Sequence, residues 1–255
     1  MKGVILAGGK GTRLYPLTYA TNKHLLPVYD QPMVYYPIQT LQNAGIDEIL
    51  IVTGESHAGD FINVIKNGKD LGLKHVEYAY QEGGSAGISD ALKYSEDFAD
   101  GGSIAVILGD NTTDANIKSA VESFVSGAKV FLKQVPDPKR FGIPRFNEAD
   151  PTIIDEIIEK PADPPSDRAV TGLYLYDNTV FDKIRSLKPS SKGELEVTDL
   201  NNAYIKEGKL AWADLDGFWS DAGTFASLYR STAYWAKKKL GPAHQDVIDG
   251  KVTSL

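Results

Sequence analysis

Residues 3–18 read Gly3-Val4-Ile5-Leu6-Ala7-Gly8-Gly9-Lys10-Gly11-Thr12-Arg13-Leu14-Tyr15-Pro16-Leu17-Thr18. A short apolar run passes directly into glycines interleaved with basic residues. Open α/β sheets commonly build phosphate sites this way, at the end of a first strand. The loop fits neither common nucleotide pattern. A dinucleotide fold wants G-x-G-x-x-G, and Leu14 stands where the third glycine belongs. A P-loop wants lysine after its second glycine, and here Lys10 precedes Gly11. With no Cβ at Gly8, Gly9 and Gly11, backbone amides can close on a ligand. Arg13 adds a planar, permanently charged fork suited to phosphate oxygens. A plain tight turn is the competing reading.

Working outward, apolar runs of strand length recur at 3–7, 48–53, 76–80, 104–108, 129–135, 153–159 and 173–176. Several are continuously apolar, as strands covered on both faces are. Segments of helical spacing alternate with them, at 33–44, 58–66, 91–98 and 117–125. This rhythm predicts an α/β fold on a mainly parallel sheet. After residue 135 prolines crowd the chain, from Pro136 to Pro165, and helices are expected at 179–187, 197–207 and 225–240. We read a single domain over 1–255. Within it we read a first half at 1–135, a smaller, substrate-specific half at 136–225, and at 226–255 a terminal helix with a short tail after Gly241.

The 255 residues contain no cysteine, which excludes disulfides and thiolate-bound zinc; any metal takes oxygen or histidine ligands. Lys2 before a very short apolar run is not a signal peptide, and no stretch approaches a membrane span. The expected location is the cytoplasm. A net charge of −7 argues against a nucleic-acid partner. It also means that a phosphate site must gather its cations locally.

Further on stands Asn22-Lys23-His24-Leu25-Leu26-Pro27-Val28. A lone lysine is usually solvated, but Lys23 follows Arg13 by ten residues across Pro16, so one phosphate site can use both charges. His24 reads as a packing or local hydrogen-bonding residue.

These two stretches resemble the signature of the sugar nucleotidyltransferases, and within them the thymidylyltransferases that use glucose 1-phosphate. The resemblance continues in order through Pro32-Met33-Val34-Tyr35-Tyr36-Pro37, Leu108-Gly109-Asp110-Asn111, Arg140-Phe141-Gly142, Ile158-Glu159-Lys160-Pro161 and Val170-Thr171-Gly172-Leu173-Tyr174. Gly193-Glu194-Leu195-Glu196-Val197-Thr198-Asp199 and Trp219-Ser220-Asp221-Ala222-Gly223-Thr224 complete it. It implies a Rossmann-like three-layer fold and transfer of a nucleotidyl group from dTTP to glucose 1-phosphate, giving dTDP-glucose and pyrophosphate with Mg²⁺. Neither membrane nor nucleic acid takes part, and the resemblance is compatible with a homo-oligomer.

By the same resemblance, Leu6, Gly8, Gly9, Gly11 and Thr12 hold the triphosphate, with Gln81 and Gly87 reading the base. Arg13 and Lys23 neutralise phosphate charge. Asp110, beyond the carboxyl end of a strand, and Asp221 hold the metal; as isolated residues, Asp110 has a competing reading as a turn cap and Asp221 as a helix cap. Glu159, Gly142, Val170 and Trp219 shape the hexose pocket, and Lys160 and Lys192 place the sugar phosphate. Glu159-Lys160 taken alone is a solvated strand end. Two departures stand out. Lys192 replaces the usual arginine and loses its fork. Ser89-Asp90 replaces Ala-Gln or Ala-His in a base loop one residue longer, where the acid either alters recognition or caps a helix.

Three alternatives remain open. One is the same chemistry with UTP or another hexose 1-phosphate. Another is a silent sugar-nucleotide-binding regulator, disfavoured by intact Arg13, Lys23, Asp110 and Asp221. A third is an NAD-binding Rossmann protein, which lacks its third glycine. The chain is shorter than the longer members of the family, so end-product regulation is expected to be weak or absent.

Overall fold

The computed structural model describes residues 1–54, 58–82 and 86–241. Its centre is a seven-stranded sheet. In spatial order the strands are Leu210–Asp214, Ala128–Gln134, Arg168–Tyr176, Ile104–Leu108, Lys2–Ala7, Glu48–Gly54 and His75–Gln81. Only Arg168–Tyr176 runs antiparallel to its neighbours; the other pairings are parallel. The mainly parallel sheet is therefore as the alternation implied.

The apolar runs work because both faces are covered. In the first strand Val4 and Leu6 join one core with Ala91, Leu92, Phe181 and Leu200. Ile5 and Ala7 join the opposite core with Ile38, Leu41 and Phe61. Alternate side chains of one strand thus fill two layers. A third cluster places Leu14 and Met33 against Trp235 of the helix Phe225–Leu240. That helix has the bounds the sequence implied and starts on a capping box between Thr224 and Ser227.

The shorter helices differ from expectation. The segment 91–98 is broken into Ile88–Leu92, a 3-10 turn Lys93–Ser95 and Glu96–Ala99. The segment 117–125 keeps only Lys118–Glu122. Of the short ribbons, only Ile154–Glu159 was legible as a strand, within the run 153–159. Asn111–Thr113 pairs with Trp219–Asp221, and Gly142–Phe146 with Ile154–Glu159. The tail expected after Gly241 lies outside the described residues, as do Gly83, Gly84 and Ser85 of the base loop.

The topology sets the site. From the first strand the chain moves outward to Glu48–Gly54 and His75–Gln81, then crosses to Ile104–Leu108 on the other side. The carboxyl ends of Lys2–Ala7 and Ile104–Leu108 flank this switch point, where open sheets bind ligands.

Candidate active site

A cavity of about 390 Å³ opens at the switch point. At one end it is lined by Leu6, Gly8, Gln81, Gly87 and Ile88, in the middle by Arg13, Lys23, Asp110 and Asp221, and at the other end by Gly142, Glu159, Lys160 and Val170. Trp219 also lines it. Most residues singled out in the sequence therefore converge. Gly9, Gly11, Thr12 and Lys192 do not line the wall. Gly9 and Gly11 adopt φ values of 95° and 62°, and Gly11 packs against Thr18 and Lys23. Their role is to turn the loop, which a side chain would resist. Lys192 is exposed and reaches this region through its charge, which acts on Glu196.

Lys23 comes from a 3-10 turn, Lys23–Leu25, capped by Asn22. Its Nζ donates to Asp110 Oδ2 at 2.6 Å. The second Asp110 oxygen accepts from Asn111 Nδ2 at 3.0 Å. Burial opposes ionisation of Asp110, but the charge of Lys23 holds its carboxyl well below the usual carboxylate range. His24 sits beneath, fully buried, with its Nδ1 2.7 Å from Asn22 Oδ1. Burial and the adjacent Lys23 charge push its pKa down to about 3. A Cβ on Gly109 would stand 2.7 Å from the His24 ring, so the turn before Asp110 needs glycine.

Asp221 is brought in by the ribbon, opposite Asn111. Arg140 donates to its Oδ2 at 3.0 Å, while the buried Oδ1 has no hydrogen-bond partner. Burial, and then the negative charge of Asp110, raise the Asp221 pKa; Arg140, Arg13 and Arg230 offset part of this. Neither aspartate is a cap. Thr224 caps the following helix, and Asp110 is held by Lys23 and Asn111.

Sequence reasoning did not assign Asn111 and Arg140 to the site. Asn111 Oδ1 accepts from Gly172 N at 3.0 Å and from Trp219 Nε1 at 2.7 Å, joining three strands. The strand Arg168–Tyr176 bulges between Val170 and Tyr174, which lets Gly172 reach Asn111. Trp219 also meets the edge of Phe141, with ring centroids 5.5 Å apart.

At the far end, Glu159 closes its strand and Lys160 adopts φ 45°. This left-handed residue lets two consecutive side chains line the same cavity. Lys160 Nζ lies 2.6 Å from Glu159 Oε1, and Thr198 donates to Glu159 Oε2 at 2.7 Å. Glu194 and Glu196 also line this end. Burial, with Glu159 and Glu194 nearby, raises the Glu196 pKa.

Cations and carboxylates gathered around a glycine loop at a sheet's switch point form the kind of site that handles several phosphates at once. The family model described as nucleotidyl transferase matches residues 2–238, and the chain belongs to that family. Among its relatives are glucose-1-phosphate thymidylyltransferases. That of Neisseria meningitidis is 43% identical over 241 residues, 92% of this chain and 82% of the relative. That of Actinoplanes sp. is 41% identical, across 92% of this chain and 78% of the relative. A Bacillus anthracis protein named as a candidate glucose-1-phosphate thymidylyltransferase, crystallised with sucrose, superposes with a TM-score of 0.86. It shares 47% identity over 92% of this chain and 94% of its own. A UDP-glucose pyrophosphorylase, 23% identical with a TM-score of 0.79, covers 93% of this chain and 98% of its own and shares the fold.

Proposed function

We propose that this protein is an enzyme that transfers the thymidylyl group of dTTP to glucose 1-phosphate, releasing pyrophosphate and forming dTDP-glucose. The observation that carries this is the layout of one cavity: Gln81 at one end, Glu159-Lys160 at the other, and Arg13, Lys23, Asp110 and Asp221 between them. The thymidylyltransferases among its relatives support the choice of substrates.

The attacking group is a phosphate oxygen, anionic already, so no general base or protein nucleophile is required. The work is alignment for in-line attack and cancellation of charge as two anions approach. Backbone at Gly8 closes on the triphosphate. Lys23 steadies charge at the α-phosphorus, and Arg13 receives the leaving pyrophosphate. Lys160, supported by the charge of Lys192, places the sugar phosphate. Glu159, held by Thr198, accepts from hexose hydroxyls, with Gly142, Val170 and Trp219 shaping the pocket.

Asp110 and Asp221 fit Mg²⁺. They face one region of the cavity, both are acids in a site that binds hard oxygen ligands, and Asp221 Oδ1 is buried without a hydrogen-bond partner. When bound, the ion neutralises phosphate charge. We keep the division into a nucleotide half at 1–135, a sugar half at 136–225 and a terminal segment at 226–255; Gln81 in the first and Glu159-Lys160 in the second, at opposite ends of the cavity, support the two halves. We read the protein as cytoplasmic; among the described residues no helix is long and apolar enough to cross a membrane.

Pyrophosphate release with Mg²⁺ and glucose 1-phosphate, with dTTP and UTP in parallel, tests the proposal. Faster release with dTTP supports it. Release with UTP alone moves the base, and no release with any pair overturns the transfer reading.

A further inference from the structure

Gln81 ends the outer strand His75–Gln81 and is almost wholly buried at the base end of the cavity. Its Nε2 donates to Asp90 Oδ2 at 2.7 Å. The other Asp90 oxygen accepts from Lys93 Nζ at 2.5 Å. Asp90 is itself buried, in the helix Ile88–Leu92, whose N-cap is Gly87. It is therefore not the cap of that helix.

We propose that Asp90 is a positioning residue that fixes which end of the Gln81 amide faces the nucleobase, an inference that rests on the nucleotide-transfer reading. A carboxylate only accepts hydrogen bonds, so it takes the Gln81 amino group and turns the carbonyl away. Oε1 lies on the Gly8 side, 3.1 Å from where a Cβ on Gly8 would stand. The cavity is thus offered an acceptor. A pyrimidine with a ring N3–H, thymine or uracil, satisfies it. Cytosine presents an unprotonated N3, a second acceptor, and leaves both groups unpaired. Selection is set by Asp90, which need not touch the base.

The role of Lys93 sharpens the test. It donates to position 90, so it takes the oxygen of any amide placed there. Asp90→Asn then turns the new amino group towards Gln81. The Gln81 carbonyl swings to meet it, and its amino group faces the base. This near-isosteric change reverses the polarity of the reader.

The experiment is calorimetric binding of dTTP and dCTP to the full chain, with pyrophosphate release in parallel. The native protein is expected to prefer dTTP by about 100-fold. Asp90→Asn is expected to shift the ratio by at least about tenfold towards dCTP, with the KM for glucose 1-phosphate unchanged. Lys93→Met alone keeps the carboxylate and is expected to keep the native ratio. Asp90→Asn/Lys93→Met frees the new amide to face either way and is expected to fall between the two. An unchanged ratio in Asp90→Asn overturns the lock and leaves the transfer reading intact. A binding ratio that shifts as expected in Asp90→Asn, without pyrophosphate release by the native protein from any pair, keeps the lock and overturns the transfer reading.

Discussion

Lys23 Nζ and Asp110 Oδ2 lie 2.6 Å apart, although the residues are 87 positions apart in the chain. Both side chains are largely enclosed, at 14% and 12% exposure. The pair joins the loop after the first strand to the loop after Ile104–Leu108, and a metal or phosphate enters where the two charges already balance. Lys23→Met is expected to lower kcat by about 10²–10³. It also leaves a buried carboxylate without its cation, held only by Asn111, so urea midpoints should fall. In Lys23→Met/Asp110→Asn the midpoint should recover while kcat stays low. Recovery of both would show that the pair serves stability alone.

His24 supplies a pH test. Its pKa is about 3 in the folded chain against 6.5 for a free side chain. The unfolded chain takes up a proton below pH 6.5 and the folded chain does not, so this residue's contribution falls with pH from about 6.5 towards 3. The slope is about 1.4 kcal/mol per pH unit within that window. His24→Asn is expected to be less stable at pH 7, yet to lose less on going to pH 5. Parallel slopes in urea unfolding at pH 7, 6 and 5 would contradict the assignment.

Asp221 supplies another pH test, on activity. Burial raises its pKa, and in the proposed role its ionised form binds the cation, so activity is expected to be lost as pH falls through that raised value. Arg140 pulls the other way, donating to Asp221 at 3.0 Å. Arg140→Leu is therefore expected to move the acid limb of kcat/KM to higher pH. A limb that stays in place would mean that another group sets it.

Gly87 tests how the base loop is seated. Its φ is 104°, and a Cβ there would stand 2.5 Å from the Leu195 carbonyl oxygen. Leu195 N donates to Ala86 O at 2.8 Å, and Ser89 N to Leu195 O at 3.1 Å, so the loop is stitched to the segment before the helix Val197–Lys206. Gly87→Ala forces that contact apart. It is expected to cost about 1–3 kcal/mol of stability and to raise the KM for dTTP. Thermal melts and initial rates would show both, and a native melt would sink the argument.

The residues legible in the sequence were those carried by periodicity or by ordered motifs. Phe225–Leu240 announced itself by its amphipathic length, and Val4 to Ala7 by an unbroken apolar run; the cap at Thr224, where Asp221 was the candidate, was not legible. Asp110 and Asp221 could be nominated because each stood in a motif with glycine, and Arg13 and Lys23 because their charges flank the glycine loop in an ordered set of motifs. Their pairings could not. Nothing local in Lys-Arg-Phe-Gly says that Arg140 reaches Asp221, 81 positions away. Asn111 joins three strands through contacts of high sequence separation, and its ribbon is only three residues long, below what alternation can reveal. Glu159-Lys160 read alone as a solvated strand end; the left-handed turn at Lys160, which sets both side chains on the cavity, was not legible. Lys192 was placed by resemblance on the phosphate, and the structure leaves it outside the cavity wall.

The ribbon between Asn111–Thr113 and Trp219–Asp221 also fixes an order of completion. On the ribosome, the glycine loop, Lys23 and Asp110 are all made before the midpoint of the chain, but Asp221 arrives near its end. Until the ribbon closes, the cavity holds only one of its two carboxylates, so a pairing of three residues from distant parts of the chain completes its set of charges.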